Sequence, residues 1–538
     1  MKPLIAFTII LTSLFSIISC KSDMVTGNYT IEVYAHGDIH GCFFDSLYTC
    51  GEREASLANI SGYVNGRRAD KNVDGVILLD LGDNIHGDNA AYYYNYVHKY
   101  SKGEKHLYSR ITEYMQYDAS VVGNHDIETG REIFERVWNE SKMHYLAGNL
   151  IEQSDGNPLV KPYTVINRSG VTIAVVGLTT HEMKKWLGIE KMEGVDVLPI
   201  SNLAQELINE VNSRENPHFT VLALHSETGR ADDENFMNSG KWLAENIEGI
   251  DLVLSSHDHI PFCGKVWNGN DSIPVVNSGP YGVKLSGVKL NVTLDKGNVV
   301  SKSIDVGLIP MDSVEKDMVY LHRFREDYLR VKEFSVAKLG AIDSDIVPAE
   351  IFDGPCVYSN LLHYVQLKES GADVSFVSPT KFRGTIAAGD ISYNDILIMY
   401  PFENLLYKVK LTGCQIKSYL ELSYNYWKHR PVSFDCAGGL NYTVDFLKQV
   451  GERVIIHSFT DGREFDADST YTVAMASYRA NGGGELLLEA TGLHIGQLDG
   501  IYIKKFGAIK DMLYNHFMNS NVSSEELAKV ASWDIKGL

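Results

Sequence analysis

The sequence predicts an α/β protein of two domains joined by a helix, and three features support this prediction. Over residues 29–310, short apolar runs alternate with polar, helix-forming stretches, as in a layered α/β domain. Several of these runs are apolar at every position, which is typical of a sheet covered on both faces. A long polar segment at residues 311–339 predicts a linker helix, and residues 340–538 then mix helices with strands. We therefore expect a second, α+β domain in the C-terminal part.

The individual elements follow from the positions of the apolar runs. In the first domain, the predicted strands are Ile31–Ala35, Val76–Leu81, Ala119–Val122, Val171–Leu178, Phe219–Leu224, Asp251–Leu254 and Pro274–Val276. In the second domain, the predicted helices are Ser359–Glu369 and Gly413–Leu422, and the predicted strands are Leu405–Leu411, Arg453–Ile456 and Tyr471–Met475. The linker segment has only a loose apolar stripe, so we expect a long polar helix that links the two domains.

The N-terminus has the features of an export signal. Lys2 precedes a mostly apolar stretch that is too short for a confident membrane span. The stretch ends in Ile17-Ile18-Ser19-Cys20, which resembles a bacterial lipobox. We therefore expect a signal peptide at residues 1–19, a lipidated tether at residues 20–28 and attachment to a membrane through Cys20. The protein would then lie in the bacterial envelope, in the periplasm or at the cell surface. An ordinary cleaved signal with an incidental Cys20 is the alternative.

The charge of the chain limits its partners. The net charge is −20 and the pI is about 5.3. An acidic surface repels a phosphate backbone, so we expect no binding to long nucleic acid. A small anionic substrate would instead need local positive charge, which metal ions can supply. The scattered cysteines show no metal-binding spacing and predict no particular disulfide.

Five short segments that carry Asp, His and Asn each follow a predicted strand. They are His36-Gly37-Asp38-Ile39-His40-Gly41, Leu81-Gly82-Asp83-Asn84, Gly123-Asn124-His125-Asp126, Leu224-His225-Ser226 and Ser256-His257-Asp258-His259. Strand ends of an α/β sheet line one crevice, so these side chains should converge. Imidazole, carboxylate and amide donors suit Zn, Mn or Fe and disfavour Ca or Cu(I). The set is too large for one tetrahedral ion but suits two adjacent divalent metals that share a carboxylate.

The order of these segments resembles the calcineurin-like metallophosphoesterase superfamily. The resemblance implies a β-sandwich flanked by helices, with two metals that promote attack of water on a phosphoester. It implies that the first metal is bound by Asp38, His40 and His259. It also implies that the second is bound by Asn124, His225 and His257, and that Asp83 bridges the two.

The same resemblance makes His125 the residue that stabilises the transition state and protonates the leaving oxygen. In the 5′-nucleotidase branch this His pairs with an acid three residues later, which here is Glu128. We prefer Glu128 as the orienting acid and keep Asp126 second, since Asp126 could equally be a loop or N-cap carboxylate. We interpret the other histidines, including His86, His98, His106 and His181, as ordinary hydrogen-bonded or solvated residues.

Three segments of the second domain resemble the C-terminal domain of 5′-nucleotidases. They are Met399–Asn404, Phe434–Tyr442 and Ala476–Gly484, and their likeness is closest to the 2′,3′-cyclic-nucleotide 2′-phosphodiesterase/3′-nucleotidase branch. The resemblance implies that Phe434 and Tyr478 clamp a base by stacking. Phe434 could instead be a core residue. Arg383 is a candidate for phosphate contact, with a solvated surface Arg as the alternative, and Asn124 is expected to contact substrate as well as metal.

The sequence as a whole therefore predicts an enzyme that hydrolyses 5′- or 3′-nucleotides or 2′,3′-cyclic nucleotides to nucleoside and phosphate, for nucleotide salvage. A protein serine/threonine phosphatase is one alternative, although the segment after Asp83 lacks the phosphate-gripping Arg of that class. A second alternative is a surface lipoprotein that binds nucleotides without turnover. A third is a related hydrolase of sugar-nucleotide, pyrophosphate or sulfur-linked substrates. The sequence leaves the oligomeric state open.

Overall fold

The computed structural model describes most of the chain from residue 25 onward. The described ranges are 25–49, 51–187, 191–229, 236–380, 382–402, 404–427, 429, 433–518 and 520–537. The predicted signal peptide and the predicted lipidation site Cys20 lie outside these ranges. Within them, no helix is both long enough and apolar enough to cross a membrane.

The described part of the first domain contains two large sheets. Its strands are β1 (Gly27–His36), β2 (Gly75–Asp80), β3 (Ala119–Val121), β4 (His144–Leu146), β5 (Leu150–Glu152), β6 (Tyr163–Arg168), β7 (Val171–Thr179), β8 (Val195–Val197), β9 (Phe219–His225), β10 (Leu252–Ser255), β11 (Phe262–Trp267), β12 (Ser272–Asn277), β13 (Lys284–Asp295) and β14 (Asn298–Pro310). The first sheet has the order β14-β13-β1-β2-β3-β4 and the second β11-β12-β10-β9-β7-β6. Every predicted strand of this domain overlaps an observed one, so these predictions are confirmed.

The two sheets pack face to face because the central strands are apolar on both sides. In β1, Ile31 and Val33 face the second sheet, whereas Tyr34 faces the helices that cover the first sheet. In β7, Val175 faces the first sheet, whereas Val176 packs under the helices on the other side. This two-residue alternation produces one core between the sheets and another on each outer face. The predicted α/β sandwich flanked by helices is therefore confirmed.

The helices of this domain cover both outer faces of the sandwich. They are α1 (Leu57–Arg68), α2 (Asn89–Tyr92), α3 (Leu107–Met115), α4 (Asn124–Glu128), α5 (Arg131–Glu140), α6 (Met183–Trp186), α7 (Ile200–Glu215) and α8 (Gly240–Asn246). A capping box starts α1, because the Ser56 side chain accepts from the first turn and Asn59 bonds back to the Ser56 backbone. α4 carries the predicted acid His125 on its first turn, directly after β3.

The linker differs from the single long helix that we expected. It consists of α9 (Met318–Arg323) and α10 (Arg325–Val336), separated at Phe324. Phe324 is buried in the first domain's core, and Asp327 on α10 is buried and bonded to Arg110 of α3 at 2.6 Å. The linker helices are therefore attached to the first domain. The apolar stripe was too irregular in the sequence to reveal this packing face.

The second domain is a mixed α+β unit with its own core. Its strands are β15 (Lys338–Ile342), β16 (Val374–Val377), β17 (Gly389–Ser392), β18 (Leu405–Thr412), β19 (Cys436–Gly438), β20 (Leu440–Asp445), β21 (Val454–Phe459), β22 (Thr470–Ala476), β23 (Tyr502–Ala508), β24 (Asn521–Val522) and β25 (Ser532–Lys536). Its helices are α11 (Val357–Ser370), α12 (Tyr393–Met399), α13 (Gly413–Tyr426), α14 (Ser477–Ala480), α15 (Leu486–Thr491), α16 (Ile509–Phe517) and α17 (Ser524–Leu527). The main sheet has the order β19-β16-β22-β18-β23. The predicted elements of this domain all overlap observed ones.

The second domain contacts the first close to a predicted ligand loop. α2 follows the loop that carries Asp83, and Asn89 at its start donates to Asn394 of α12 at 2.9 Å. Tyr92 at its end donates to Asp511 of α16 at 2.8 Å. The fold thus brings the second domain next to the carboxyl ends of the strands, where the candidate site lies.

Candidate metal centre

The predicted ligand loops meet at the carboxyl ends of strands from both sheets. The first sheet contributes the loops after β1, β2 and β3, and the second contributes the end of β9 and the loop after β10. The predicted ligands in these loops are Asp38, His40, Asp83, Asn124, His225, His257 and His259. The geometry therefore follows the general rule that parallel strand ends line a ligand crevice.

One group of donors consists of Asp38, His40 and His259. One donor atom from each lies within 4.8 Å of the others. The Nε2 atoms of His40 and His259 face each other at 3.0 Å, and their rings are inclined by 65°. The Oδ1 atom of Asp38 lies 3.7 Å from His259 Nε2. Three donors from two loops therefore converge on one point.

The second group consists of Asp83, His225 and His257, with Asn124 beside it. Donor atoms of the first three again lie within 4.8 Å of one another. Asp83 Oδ2 lies 3.2 Å from His225 Nε2, and Asn124 Oδ1 lies 3.0 Å from the same nitrogen. The rings of His225 and His257 are inclined by 65°. This is the set of residues that the resemblance grouped around the second metal.

Backbone hydrogen bonds hold the two groups next to each other. The His40 N–H donates to the Asp83 carbonyl at 2.9 Å. The His257 N–H donates to Asp38 Oδ2 at 2.9 Å. Asp83 thus belongs to the second group and contacts the first through its backbone, and its role as a bridging carboxylate stays a prediction.

Further hydrogen bonds fix which ring nitrogen of each histidine faces the centre. His225 donates its Nδ1–H to the Leu81 carbonyl at 2.7 Å, which leaves Nε2 directed at the donors. His40 donates its Nδ1–H to the His86 carbonyl at 3.2 Å, with the same result. Such outer hydrogen bonds are how proteins orient histidines that bind metals.

The ligand loops adopt a backbone conformation that side chains rarely tolerate. Among the described non-glycine residues, those with positive φ include five of the predicted ligands: Asp38 (54°), His40 (50°), Asp83 (60°), His257 (79°) and His259 (58°). A left-handed residue costs roughly 1–2 kcal/mol, so the rest of the fold must stabilise this arrangement. Strain of this kind concentrates at functional sites.

The electrostatics of the centre fit divalent cations. Asp38 Oδ1 is buried and has no hydrogen-bond partner among the described residues. Burial raises the pKa of Asp38 to about 7, while burial lowers the pKa of His257 to about 3. Burial also holds the pKa of His40 well below its usual value, which keeps its lone pair available to a metal. Burial opposes protonation of His225, but the adjacent Asp83 raises its pKa to about 10. The neutral imidazoles of His40 and His257 and the unsatisfied oxygen of Asp38 are donors that cations would satisfy.

Two family descriptions match the chain over these regions. Residues 31–261 match "Calcineurin-like phosphoesterase", and residues 339–490 match "5'-nucleotidase, C-terminal domain". The chain belongs to the calcineurin-like phosphoesterases that carry this C-terminal domain. It is therefore a metal-dependent phosphoesterase, and the resemblance inferred from the motifs is confirmed. The closer likeness to the 2′,3′-cyclic branch stays a prediction.

Relatives and solved structures agree with this membership. A 5′-nucleotidase of Vibrio cholerae is 22% identical over 496 residues, which cover 85% of this chain and 85% of the relative. Protein UshA of Escherichia coli is 24% identical over 503 residues, which cover 85% and 86%. A Staphylococcus aureus structure assigned as a 5′-nucleotidase covers 94% of this chain and 100% of its own, with a TM-score of 0.76 at 18% identity. At that identity, the structural likeness shows that the fold is shared.

The predicted acid of the phosphoesterase lies beside the metal centre. The His125 N–H donates to Asp83 Oδ1 at 2.7 Å, and its side chain is 36% exposed. Its Nδ1–H donates to Glu128 Oε2 at 2.5 Å. Burial opposes protonation, but Asp83 and Glu128 raise the pKa of His125 to about 9. The arrangement brings His125 and Glu128 together as the preferred prediction required.

Asp126 has a different place from the one given to it as second candidate. Its carboxylate accepts the backbone N–H groups of Asp83 and Asn84 at 3.0 Å and that of Gly123 at 2.9 Å. These bonds tie the loop after β2 to the start of α4. The orienting role for Asp126 is therefore corrected to a loop-binding role, because its oxygens are directed at backbone donors.

His86 is a residue of the site that the sequence interpretation missed. It is only 6% exposed, and its ring stacks on His125 with centroids 4.7 Å apart and planes inclined by 6°. We had interpreted it as an ordinary histidine because it belongs to no ligand motif. Its position three residues after Asp83, in the same glycine-bounded loop, is the one signal in the sequence that could have indicated it.

Phe434 does not present an open ring in the second domain. It is 0% exposed, and its ring packs against Phe352, with centroids 5.5 Å apart, and against Tyr424, with centroids 5.2 Å apart. The predicted base clamp at this position is therefore corrected: the ring belongs to the core, which was the alternative. Its neighbours approach from helices and turns distant in sequence, so no local pattern revealed its burial.

The two other predicted substrate contacts lie at the surface. Tyr478 is partly exposed, and its N–H donates to Asn404 Oδ1 at 3.2 Å. Arg383 is exposed, donates to the Thr380 carbonyl and lies 6.0 Å above the Phe352 ring. Both positions are open to a ligand, and their roles stay predictions.

Proposed function

We propose that this phosphoesterase hydrolyses nucleotide phosphoesters, converting 5′- or 3′-nucleotides or 2′,3′-cyclic nucleotides to nucleoside and phosphate. The proposal rests on one observation: the two donor groups lie next to each other at Asp83, and His125 lies beside them. The nucleotide specificity is supported by the match of residues 339–490 to a 5′-nucleotidase C-terminal domain and by relatives named as 5′-nucleotidases.

The two donor groups would hold two divalent cations, most suitably Zn, Mn or Fe, whose charge activates water and polarises the phosphoryl oxygens. In this chain, Asp38, His40 and His259 would hold one cation. Asn124, His225 and His257 would hold the other, with Asp83 shared between them. The local positive charge would attract an anionic substrate to a protein whose net charge is −20.

His125 would act on the leaving group. Glu128 holds its Nδ1–H, so Nε2 is the nitrogen left to carry a proton toward the ribose oxygen that departs. Asn124, directly before His125, would contact both the metal and the phosphoryl group. These assignments rest on the family's motif and on the geometry around Asp83.

The nucleoside would be bound from the second domain. α2 and α12 join that domain to the loop after Asp83, and Tyr478 offers a partly exposed aromatic ring. Stacking on a base is worth roughly 1–3 kcal/mol and tolerates any base. We therefore expect broad base specificity, with Arg383 as the candidate for contact with a phosphate.

An assay panel tests the proposal directly. The purified protein, reconstituted with Mn²⁺ or Zn²⁺, is given AMP, 3′-AMP, 2′,3′-cyclic AMP and a phosphoserine peptide. Released phosphate is measured, and chromatography detects the nucleoside and nucleotide products, because opening of the cyclic ester gives a nucleoside monophosphate without free phosphate. We expect turnover of at least one of the nucleotides and little turnover of the peptide. Saturable nucleotide binding without any hydrolysis product would show a binding protein instead. Faster turnover of the peptide would show a protein phosphatase.

We also propose that the protein is exported and tethered to a membrane by a lipid on Cys20. The support is the lipobox-like sequence before that residue. Metabolic labelling with an alkyne-tagged fatty acid should mark the wild-type protein and not the Cys20→Ala variant. Equal labelling of the two would place the lipid elsewhere, and no labelling of either would indicate a plain cleaved signal.

A further inference from the structure

The loop that follows Asp83 places a second imidazole against the candidate acid. The His86 ring is buried and nearly parallel to that of His125, at 4.7 Å between centroids. Its Nε2 lies 4.0 Å from Glu128 Oε2, the same oxygen that accepts from His125. The Glu128 carboxylate is thus shared by the edges of two stacked rings.

A third metal is a poor explanation for this trio. Donor atoms of His86, His125 and Glu128 do lie within 4.8 Å of one another. However, a metal bound by imidazole lies in the plane of the ring, and two planes inclined by only 6° do not meet at a common metal position. In both donor groups of the metal centre the paired rings are inclined by 65°, so that their planes cross. The trio is therefore a stack, and its function must come from contact between ring faces.

The stacked His86 ring adds a second restraint on the orientation of the His125 side chain. The hydrogen bond from Nδ1 to Glu128 fixes one direction within the ring plane. That bond alone lets the ring rock about it, since the His125 side chain is 36% exposed and the His40 ring meets it only at a steep angle of 72°, with centroids 5.3 Å apart. The face of His86 removes this freedom. The His86 carbonyl also accepts from His40 Nδ1–H at 3.2 Å, so one residue contacts both the candidate acid and a candidate metal ligand.

We propose that His86 is a positioning residue: its flat face sets the plane of the His125 ring, so that Nε2 is directed at the leaving oxygen of the substrate. The inference rests on the proposed function, because it acts through the acid role of His125. A misplacement of about 1 Å at a reacting group can cost roughly 10²-fold in rate, so a loosened ring should lower turnover without weakening substrate binding.

Two variants of His86 test whether the flat face of its ring matters or whether any side chain that fills the position is sufficient. His86→Phe keeps a flat face, whereas His86→Leu fills the position without one. We expect His86→Leu to lose about tenfold or more of kcat on a nucleotide, with KM and bound metal unchanged. We expect His86→Phe to recover most of that loss. The exposed His322→Leu should match the wild type in every measurement.

A substrate with a good leaving group provides the decisive readout. The p-nitrophenolate leaving group of p-nitrophenyl phosphate departs without being protonated. A residue that acts through the acid should therefore matter little for this substrate. We expect His86→Leu and His125→Ala both to lose much more kcat on the nucleotide than on p-nitrophenyl phosphate. Equal losses of His86→Leu on both substrates, or equal kcat for His86→Phe and His86→Leu, would overturn the inference. If His125→Ala itself showed no selective loss, the acid role in the proposed function would fail, and the inference with it.

Discussion

Two clusters of buried charge, one in each domain, differ in how their charge is satisfied. In the C-terminal domain, Asp435 accepts from Arg479 at 2.8 Å, from Tyr419 at 2.5 Å and from Ser378 at 2.5 Å. In the metal centre, Asp38 Oδ1 has no hydrogen-bond partner among the described residues, and the nitrogens of two imidazoles face each other. The first cluster is complete within the protein, whereas the second requires positive charge from outside.

The paired cluster contributes to the stability of the fold, whereas the metal centre contributes to activity. A buried ion pair with all its hydrogen bonds made supports the fold, and removing one partner leaves an unpaired charge. A cluster of converging donors in a left-handed backbone costs stability until a ligand satisfies it. We therefore expect substitutions in the metal centre to abolish activity with little unfolding, and substitutions at the Asp435 pair to unfold the domain first.

The largest effect should follow from replacing the carboxylate shared by the two donor groups. Asp83→Asn keeps the acceptor for the His125 N–H but removes the charge between the two predicted metals. We expect nucleotide turnover to fall by at least about 10³-fold, because both cations lose a ligand. Phosphate release measures turnover, and thermal melting should show a retained fold. The exposed Asp312→Ala is the control; substantial turnover by Asp83→Asn would show that Asp83 is not shared.

The next effect concerns stability instead of activity. Arg479→Met would leave the Asp435 carboxylate buried without its cation, at a cost of about 3–5 kcal/mol in the free energy of unfolding. Urea denaturation of the metal-free protein measures this. The matched control is Arg463→Met, an exposed arginine paired with Asp373, which should cost about 0–1 kcal/mol. Similar losses for the two variants would mean that burial does not distinguish the pairs.

The same contrast explains what the sequence could predict. The apolar runs predicted the strands because burial on both faces leaves a local pattern, as in Val171–Leu178. The metal donors were predicted because a family motif places each one directly after a strand. Both signals lie within a few neighbouring residues, and the structure brings those residues together as expected.

Features that depend on distant contacts were not predictable in this way. Asp435 and Arg479 lie 44 positions apart, and nothing local marks them as partners. Phe434 was predicted to stack on a base, but its ring is fully buried, partly against Phe352, which lies far away in the sequence. His86 stacks on His125 because of the path of one loop, and that path follows from tertiary hydrogen bonds.

A smaller effect should come from crowding the metal centre without removing a donor. A Cβ added at Gly123 would lie 2.1 Å from Asp83 Oδ1, so the carboxylate must shift. We expect Gly123→Ala to weaken metal binding by about 10–100-fold, the usual cost of disturbing the support of a ligand. Titration of the metal-free protein with Mn²⁺ measures the affinity. Gly66→Ala in α1 is the control, because its added Cβ meets nothing within 4 Å, and equal affinities in the two variants would contradict the prediction.

The smallest effect concerns pH and lies again in the C-terminal domain. His363 is fully buried between Ser375, 3.0 Å from its Nδ1, and Cys436, 3.4 Å from its Nε2. Burial lowers the pKa of His363 to about 3, whereas an unfolded histidine titrates near 6.5. The unfolded state therefore binds more protons between these values, and stability falls as the pH drops through that window.

From pH 7 to pH 5, we expect His363 to account for about 1–2 kcal/mol of the loss in the free energy of unfolding. The measurement is urea denaturation of wild type and His363→Gln at both pH values. The variant should be less stable at pH 7, because it disturbs a packed site, and yet lose less between the two pH values. The exposed His494→Gln should keep the wild-type slope. Equal slopes for wild type and His363→Gln would mean that the acid sensitivity of this domain arises from other groups.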